Sequence, residues 1–182
     1  MRIWSLAIFW VLFLTACNNP VKGPNGIIYK SATQYNDYIV NRQAILMQKV
    51  LDFSKAAEID VDSAENMLNR FVGQTATMID EIKGMPPYKT DSSLRDAAVK
   101  SFIFYKKVFE KDYMRIIQLQ KKGFEITEED VAEANRIVEA ISSEEEVYDN
   151  RFYDAQKKFA AKNRMKLREN EMQKKFDREI SQ

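Results

Sequence analysis

The chain has 182 residues, of which 28 are basic and 27 acidic, and it contains one Cys and no His. Its nearly balanced charge gives no global attraction to nucleic acid or to anionic surfaces. The lack of His removes the usual general base at neutral pH and the commonest ligand of zinc and haem, and a single Cys can form no internal disulfide.

Residues 1–16 have the pattern of a secretory signal. Arg2 supplies a positive charge, and an apolar run follows from Ile3 to Leu14. This run is about a dozen residues long, whereas a helix needs roughly 20 to cross a bilayer. We therefore expect a signal peptide that is removed on export. Because Arg2 is its only charged residue, the mature chain would carry no formal net charge.

The segment ends with Leu14, Thr15, Ala16 and Cys17. Small residues beside the cleavage point admit a signal peptidase, and the thiol can accept a diacylglycerol. These four residues resemble the lipobox of bacterial lipoproteins, which implies that lipid, palmitate included, is attached at Cys17. The alternative is an ordinary signal peptide with Cys17 there by chance. The lipoprotein is favoured because Cys17 is the only Cys in the chain.

A flexible tether is predicted over 17–32, because Asn, Gly and Pro outnumber apolar residues between Asn18 and Gly26. From residue 33 onward the pattern becomes helical. The mature chain, with about 165 residues, suits a single domain that buries its own core. The predicted division is a signal peptide at 1–16, a tether at 17–32, a helical bundle at 33–160 and a basic helical extension at 161–182.

The first two predicted helices show apolar residues at intervals of three and four. Helix one spans about 33–58, and helix two begins near Asp62, where Glu65 completes a capping pair. Gly73 is expected to weaken helix two by up to about 1 kcal/mol relative to Ala. The apolar positions are Tyr35, Tyr38, Ile39, Leu46, Val50, Phe53 and Ala57 in helix one, and Ala64, Leu68, Phe71, Met78 and Ile82 in helix two.

Helix three is predicted to follow the helix breakers at 84–87, with Thr90 or Asp91 as its cap. Its end is indicated by Gly123, which can adopt the left-handed conformation. Thr127 and Asp130 then form a predicted capping box for helix four. The apolar positions of helix three are Leu94, Ala98, Phe102, Tyr105, Phe109, Ile116 and Leu119.

Helix four keeps one apolar phase across Ser142 and Ser143, which favours a continuous helix that extends almost to Gln182. Its apolar positions are Val131, Val138, Ile141, Tyr148, Phe152, Ala155 and Phe159. Short connections make consecutive helices antiparallel neighbours. We therefore predict an all-α fold, an up-down-up-down four-helix bundle with coiled-coil packing, in which the long fourth helix overhangs the bundle.

The overhanging segment 161–182 has no predicted partner within the bundle, because helix four would be about twice as long as helix one. It is basic, and four apolar residues occupy one face as a candidate interaction surface for anionic lipid or a partner helix. These residues are Met165, Met172, Phe176 and Ile180. Interspersed acids favour a helical partner or self-association over lipid, and a solvated, fraying helix end is the alternative.

Charged residues interrupt two apolar seams. Arg42 and Lys49 fall in the seam of helix one, and Glu145 falls in that of helix four. Pairing of Glu145 with either base would form a polar layer in the core that fixes the register of the helices. These three residues are therefore a candidate polar core.

Two acidic groups are candidates for a cation site, namely Asp60 with Asp62 and the run at 144–146. Neither has the spacing of a calcium loop. A helix cap in the first case and a solvated acidic face in the second are the favoured interpretations. We therefore expect no metal and no cofactor.

Residues Tyr35 to Asn41 resemble the opening of a family of helical bacterial surface lipoproteins. This resemblance implies the outer membrane or the cell surface and suggests no particular activity. Asn18 and Asn19 follow Cys17. They are not the Asp that, by resemblance to enteric lipoproteins, would favour retention in the inner membrane. We therefore expect the outer membrane, and the sequence leaves open which face.

Catalysis is not expected, because His and a free thiol are lacking and no Gly-x-Ser-x-Gly or Ser-x-x-Lys motif is present. The leading hypothesis is a non-enzymatic envelope lipoprotein whose helical bundle interacts with another envelope component, and not with nucleic acid. The alternative is a carrier of a small apolar or sugar-like ligand in a cavity bordered by Tyr38, Tyr105 or Tyr148. Aromatic seams of this kind are more often plain core.

Overall fold

The computed structural model describes residues 21–23, 26–168 and 171–180. The described part is mostly helical and begins with a small antiparallel hairpin, so the all-α prediction is broadly confirmed. The proposed signal peptide and Cys17 lie outside the described residues. Within the described ranges, no helix has the length and apolar character needed to cross a membrane.

The hairpin pairs strand β1, Val21–Lys22, with strand β2, Ile28–Tyr29. We expected residues 17–32 to form a flexible tether, and the structure corrects this from Val21 onward. The reason is Tyr29, which is only 2% exposed and packs edge-on against two tyrosine rings of the first helix, at centroid distances of 5.2 and 5.4 Å. Gly23 permits this packing, because a Cβ there would lie 2.5 Å from the Tyr29 ring.

Helix α1 spans Ala32–Ile59 and helix α2 spans Val61–Lys83, close to the predicted bounds. The predicted cap of α2, Asp62, is wrong by two residues. Asp60 caps the helix, because its carboxylate accepts the backbone N–H groups of Asp62 and Ser63, both at 3.2 Å. A carboxylate just before the first turn satisfies N–H groups that have no acceptor within the helix.

The third predicted helix is divided in the structure. Helix α3, Ser93–Lys107, continues into a π-helical turn at Val108–Asp112 and then into helix α4, Tyr113–Gln120. A π-helical turn adds one residue to the helical repeat and rotates the faces of the residues that follow. The predicted core residue Ile116 is therefore only partly buried, and its neighbour Ile117 is fully buried instead.

The junction before the last long helix matches the prediction. Gly123 has a positive φ of 55°, and Thr127 and Asp130 form a reciprocal capping box. Helix α5, Glu128–Lys162, is continuous through both serines at 142 and 143, as predicted.

The predicted overhang of the fourth helix is wrong. Helix α5 ends at Lys162, and Arg164 adopts a left-handed φ of 52° that reverses the chain. Helix α6, Glu171–Ile180, then lies against α1. The reversal allows side chains from the segment after α5 to pack against the core, which an uninterrupted helix could not do.

The core lies among the long helices, with α1 packed on α2, α2 on α3 and α3 on α5. The first half of α5 departs from the predicted phase. Val131 and Val138 are exposed to 45% and 50%, and Ile137 faces the core in their place, whereas Ile141 is buried as predicted. The fully buried side chains include Tyr35, Ile39, Leu46, Leu68, Ile82, Phe102, Tyr105, Phe109 and Phe159.

One end of the domain is closed by aromatic side chains, and we call it the hairpin end because β2 leads into it. The ring of Tyr35 lies 5.3 Å from that of Tyr88, in the α2–α3 loop, and 5.7 Å from that of Phe159, near the end of α5. The Tyr35 hydroxyl donates a 3.0 Å hydrogen bond to the carbonyl of Pro86. Burial raises the pKa of Tyr35 well above its usual range, so the hydroxyl remains a donor.

An ion pair adds to this closure. Lys162, the last residue of α5, lies 2.9 Å from the carboxylate of Asp91 in the α2–α3 loop. The Asp91 carboxylate also accepts hydrogen bonds from the hydroxyl and the backbone N–H of Ser93. The Ser93 hydroxyl first, and Lys162 next, hold the pKa of Asp91 at about 2.

The core assignment predicts that Phe53→Ala, Leu68→Ala and Phe152→Ala each lower the free energy of unfolding by about 2 to 5 kcal/mol, because each leaves a cavity. Chemical denaturation monitored by circular dichroism measures this change. Val138→Ala is the matched control, since its side chain is half exposed, and we expect a change within about 0.5 kcal/mol. Unfolding curves near wild type for all three core variants would contradict the assignment.

The Asp91 contacts predict a pH-dependent contribution to stability. A carboxyl whose pKa is lowered on folding stabilises the fold above its unfolded pKa of 3.8 and loses this effect as the pH falls toward 2. Asp91→Asn should therefore lower the melting temperature at pH 7 and have a smaller effect at pH 2. Asp154→Asn, at an exposed position of α5, is the control. An effect of Asp91→Asn that is equal at both pH values would rule out the charged contacts as its cause.

Candidate functional site

A groove separates α1 from the second half of α5 and is covered by the chain that follows α5. Its volume is about 780 Å³, within the range of 300 to 1,000 Å³ that small-molecule sites usually occupy. The two helices and the covering segment all contribute side chains. The lining includes Asn36, Asn41 and Gln43 of α1, Asn150, Tyr153 and Gln156 of α5, and Met165 and Met172 of the covering segment.

The groove is crossed by side-chain amides. Gln156 donates a 2.9 Å hydrogen bond to the amide oxygen of Asn36, which is only 5% exposed. Gln43, two helical turns further along α1, is equally buried. Buried amides are nearly always hydrogen-bonded, so the Asn36–Gln156 bond fixes how α1 lies against α5. Phe152 forms the apolar wall beside these amides.

The groove is covered by two residues of the predicted interaction surface. Met165 and Met172 are half-buried and pack against the core. Phe176 and Ile180 lie in α6, and their side chains are outside the described residues. The predicted face is therefore not a free surface at Met165 and Met172, because both already contact the domain itself.

Helix α6 is held on α1 by polar contacts near the surface. Lys55 pairs with Glu179 at 2.8 Å, and Lys175 donates a 3.0 Å hydrogen bond to Gln48. The Lys55 side chain is 61% exposed. Exposed ion pairs contribute little to stability because water and salt screen them. Among the described side chains after α5, Met165 and Met172 are the ones that pack against the core.

The predicted polar core is divided between two interfaces. The Arg42 guanidinium lies 3.5 Å from the centre of the Tyr38 ring and 3.4 Å from the Glu81 carboxylate of α2. Lys49 donates a hydrogen bond to Gln74 of the same helix. Burial lowers the pKa of Lys49. Both bases therefore belong to the α1–α2 interface, where α2 supplies their polar partners.

Glu145 lies at the α3–α5 interface instead. It accepts a 2.7 Å hydrogen bond from the hydroxyl of Tyr105. Burial, followed by the charges of Asp149 and Glu145, raises the pKa of Tyr105 well above its usual range. The sequence pattern placed Tyr105 among the apolar residues and gave no indication that its hydroxyl would be the partner of Glu145.

The tyrosines predicted to border a ligand cavity do not line the groove. Tyr38 contacts Arg42, Tyr105 contacts Glu145, and Tyr148 stacks on Phe104 with ring centres 4.9 Å apart. The sequence feature that indicates the groove is a pair of amide residues and not these tyrosines. Asn36 and Gln43 lie seven residues apart on one face of α1, where a polar stripe follows the edge of the apolar seam.

The acidic groups occupy ordinary structural positions. Asp60 caps α2, and Glu144 pairs with Lys107 at 3.0 Å. This pair borders a smaller cavity of about 200 Å³ beside the π-helical turn. In the described part of the chain, no group of three or more Asp, Glu, Cys or His side chains is arranged to hold a metal ion.

Comparison of the chain with protein-family models, with curated proteins and with solved structures finds no match in any of the three.

Proposed function

We propose that this protein is an exported, non-enzymatic lipoprotein of the cell envelope, held on the outer membrane by lipid at Cys17, whose helical domain binds another envelope component. The anchor is supported by the sequence from Leu14 to Cys17 and by the apolar run before it. The lack of His and of a second Cys supports a role in binding rather than in catalysis.

The groove between α1 and α5 is the observation that carries the binding role. It is larger than the cavity beside the π-helical turn, and the segment that follows α5 covers it. The cover approaches α1 as a short helix, and binding of a helix in a groove is a common mode of protein recognition. We infer that a helical segment of the partner takes the place of α6 along α1.

We also propose that the long helices run alternately up and down. The connections between the long helices are short, and each helix packs on the next. These features support an up-down-up-down arrangement of α1, α2, α3 with α4, and α5, after which α6 returns along α1. In this arrangement the groove lies between the first and the last long helices, which no short connection joins.

The second candidate function is that of a carrier of a small ligand. The side chains that line the groove indicate the chemical class of that ligand. Amide side chains from Asn36, Asn41, Asn150 and Gln156 face a volume of small-molecule size. The aromatic ring of Tyr153 is half exposed at the rim. Amides and an exposed ring suit a sugar-like ligand, and apolar side chains such as Val40, Phe152 and Met165 complete the lining.

The anchor proposal predicts that Cys17→Ser leaves the domain folded but no longer bound to membranes. Each buried methylene of an acyl chain contributes about 0.8 kcal/mol, so several chains hold a protein firmly and one missing thiol removes them all. Fractionation of cells followed by immunoblotting measures the change, and protease treatment of intact cells shows which face the wild type occupies. Full retention of Cys17→Ser in the membrane fraction would contradict the anchor.

The binding role predicts site-specific crosslinking from the groove. A photoreactive amino acid at Asn41, which borders the groove, should capture one discrete envelope protein in intact cells, whereas the same amino acid at Val138, half exposed on α5, should not. Equal capture from both positions would contradict the proposal.

Two further results would identify other occupants of the groove, one from this crosslinking experiment and one from purification of the protein. Capture of a second copy of the chain would indicate self-association. A small molecule that co-purifies with the wild type and is lost from the Asn36→Leu/Gln156→Leu variant, as measured by mass spectrometry, would favour the carrier.

A further inference from the structure

The ordered hairpin leaves little chain between the proposed lipid and the folded domain. Strand β1 begins at Val21, four residues after Cys17. At 3.3 to 3.6 Å per residue these four residues span at most about 14 Å. A lipid on Cys17 therefore keeps the hairpin end of the domain close to the bilayer surface.

The hairpin itself presents side chains suited to a lipid surface. Lys22 of β1 is paired with Ile28 of β2, and Lys30 is the first residue after β2. Both lysines are exposed, and Ile28 is 49% exposed although it is apolar. A hydrophobic residue between cations is typical of protein surfaces that lie at a membrane interface.

More cations lie at the same end of the domain. Lys89 of the α2–α3 loop, together with Arg164 and Lys166 after α5, lines an open cavity of about 380 Å³ next to the start of α1. No acidic side chain lines this cavity. Among the residues that the structure describes, none forms an ion pair with these three cations or with the two lysines of the hairpin.

The carboxylates nearby have other partners. Asp91 is held by Lys162 and Ser93, and Asp96 pairs with Arg95 at 2.9 Å. Asp37, on the second turn of α1, accepts a hydrogen bond from the uncharged amide of Asn36, which offsets no charge, so one carboxylate stands against the five cations. The hairpin end therefore carries a local positive charge, although the chain as a whole is nearly neutral.

We propose that the hairpin end lies directly on the bilayer and binds anionic lipid headgroups through Lys22, Lys30, Lys89, Arg164 and Lys166, with Ile28 inserted among the headgroups. This inference rests on the proposed lipid at Cys17. Attraction between exposed charges falls off over about 8 to 10 Å, so the short connection to the lipid is what brings these cations within range. Each base near an anionic surface strengthens binding roughly five-fold.

The test uses the full lipidated chain in vesicles that contain quencher-labelled lipid. Ile28→Cys and Val138→Cys, each carrying a fluorescent label, are compared in vesicles of phosphatidylcholine with and without phosphatidylglycerol. Acylation blocks the thiol of Cys17, so the label reports only the new position. The two positions are equally exposed, and Val138 lies roughly 30 Å along α5 from Phe159 at 1.5 Å per residue.

We expect the label at Ile28→Cys to be quenched several-fold more than that at Val138→Cys, and phosphatidylglycerol to increase the quenching at Ile28→Cys. The added variant Lys22→Gln/Lys30→Gln/Lys89→Gln should lose this increase. The control Arg70→Gln/Lys111→Gln/Arg136→Gln removes the same charge from exposed positions elsewhere and should keep it.

Two results would overturn the inference alone, namely equal quenching at the two positions or quenching that does not respond to phosphatidylglycerol in a chain whose lipid is verified by mass spectrometry. A chain that carries no lipid would overturn the anchor and, with it, this inference.

Discussion

The ring of Tyr35 lies where the hairpin, helix α1, the α2–α3 loop and the end of α5 meet, and the rest of the architecture depends on this junction. Tyr29 approaches from the hairpin, Tyr88 from the loop and Phe159 from α5, while the Tyr35 hydroxyl bonds to the loop backbone. Aromatic pairs in such geometry stabilise beyond the area they bury. A chain with one Cys can form no internal disulfide, so this cluster provides the closure that a disulfide provides in many small domains.

The groove follows from the way α5 is held. Helix α5 packs mainly on α3, and it meets α1 through Phe159 at the hairpin end and through the Gln156–Asn36 amide pair one turn before it. Amide contacts leave space that interdigitated apolar side chains would fill. The turn at Arg164 then directs Met165 and Met172 over this space, so the groove and its cover are both products of where α5 ends.

Signals between neighbouring residues predicted much of the fold. Most of the features that were missed depend on contacts between residues far apart in the sequence. The Thr127–Asp130 capping box, the left-handed Gly123 and the continuity of α5 follow from neighbouring residues, and all three are confirmed. The π-helical turn that buries Ile117 in place of Ile116 has no local mark in the sequence. The reversal after α5 and the ordering of the hairpin depend on contacts with α1, which lies more than a hundred residues away in the first case. The groove escaped prediction because the side chains that bridge α1 and α5 there are the amides of Asn36 and Gln156, and apolar periodicity does not report amides.

An external ligand of the groove would have to compete with the segment that covers it. A segment joined to the same chain competes as an intramolecular ligand, at an effective concentration on the order of millimolar for a short connection. The measured affinity of an external ligand is then its intrinsic affinity scaled by the fraction of molecules whose groove is uncovered. A ligand that binds without displacing the two methionines escapes this penalty. For a ligand that displaces them, the contacts of Lys55 and Lys175 with their partners would change the affinity from a distance, since they would change that fraction without touching the ligand.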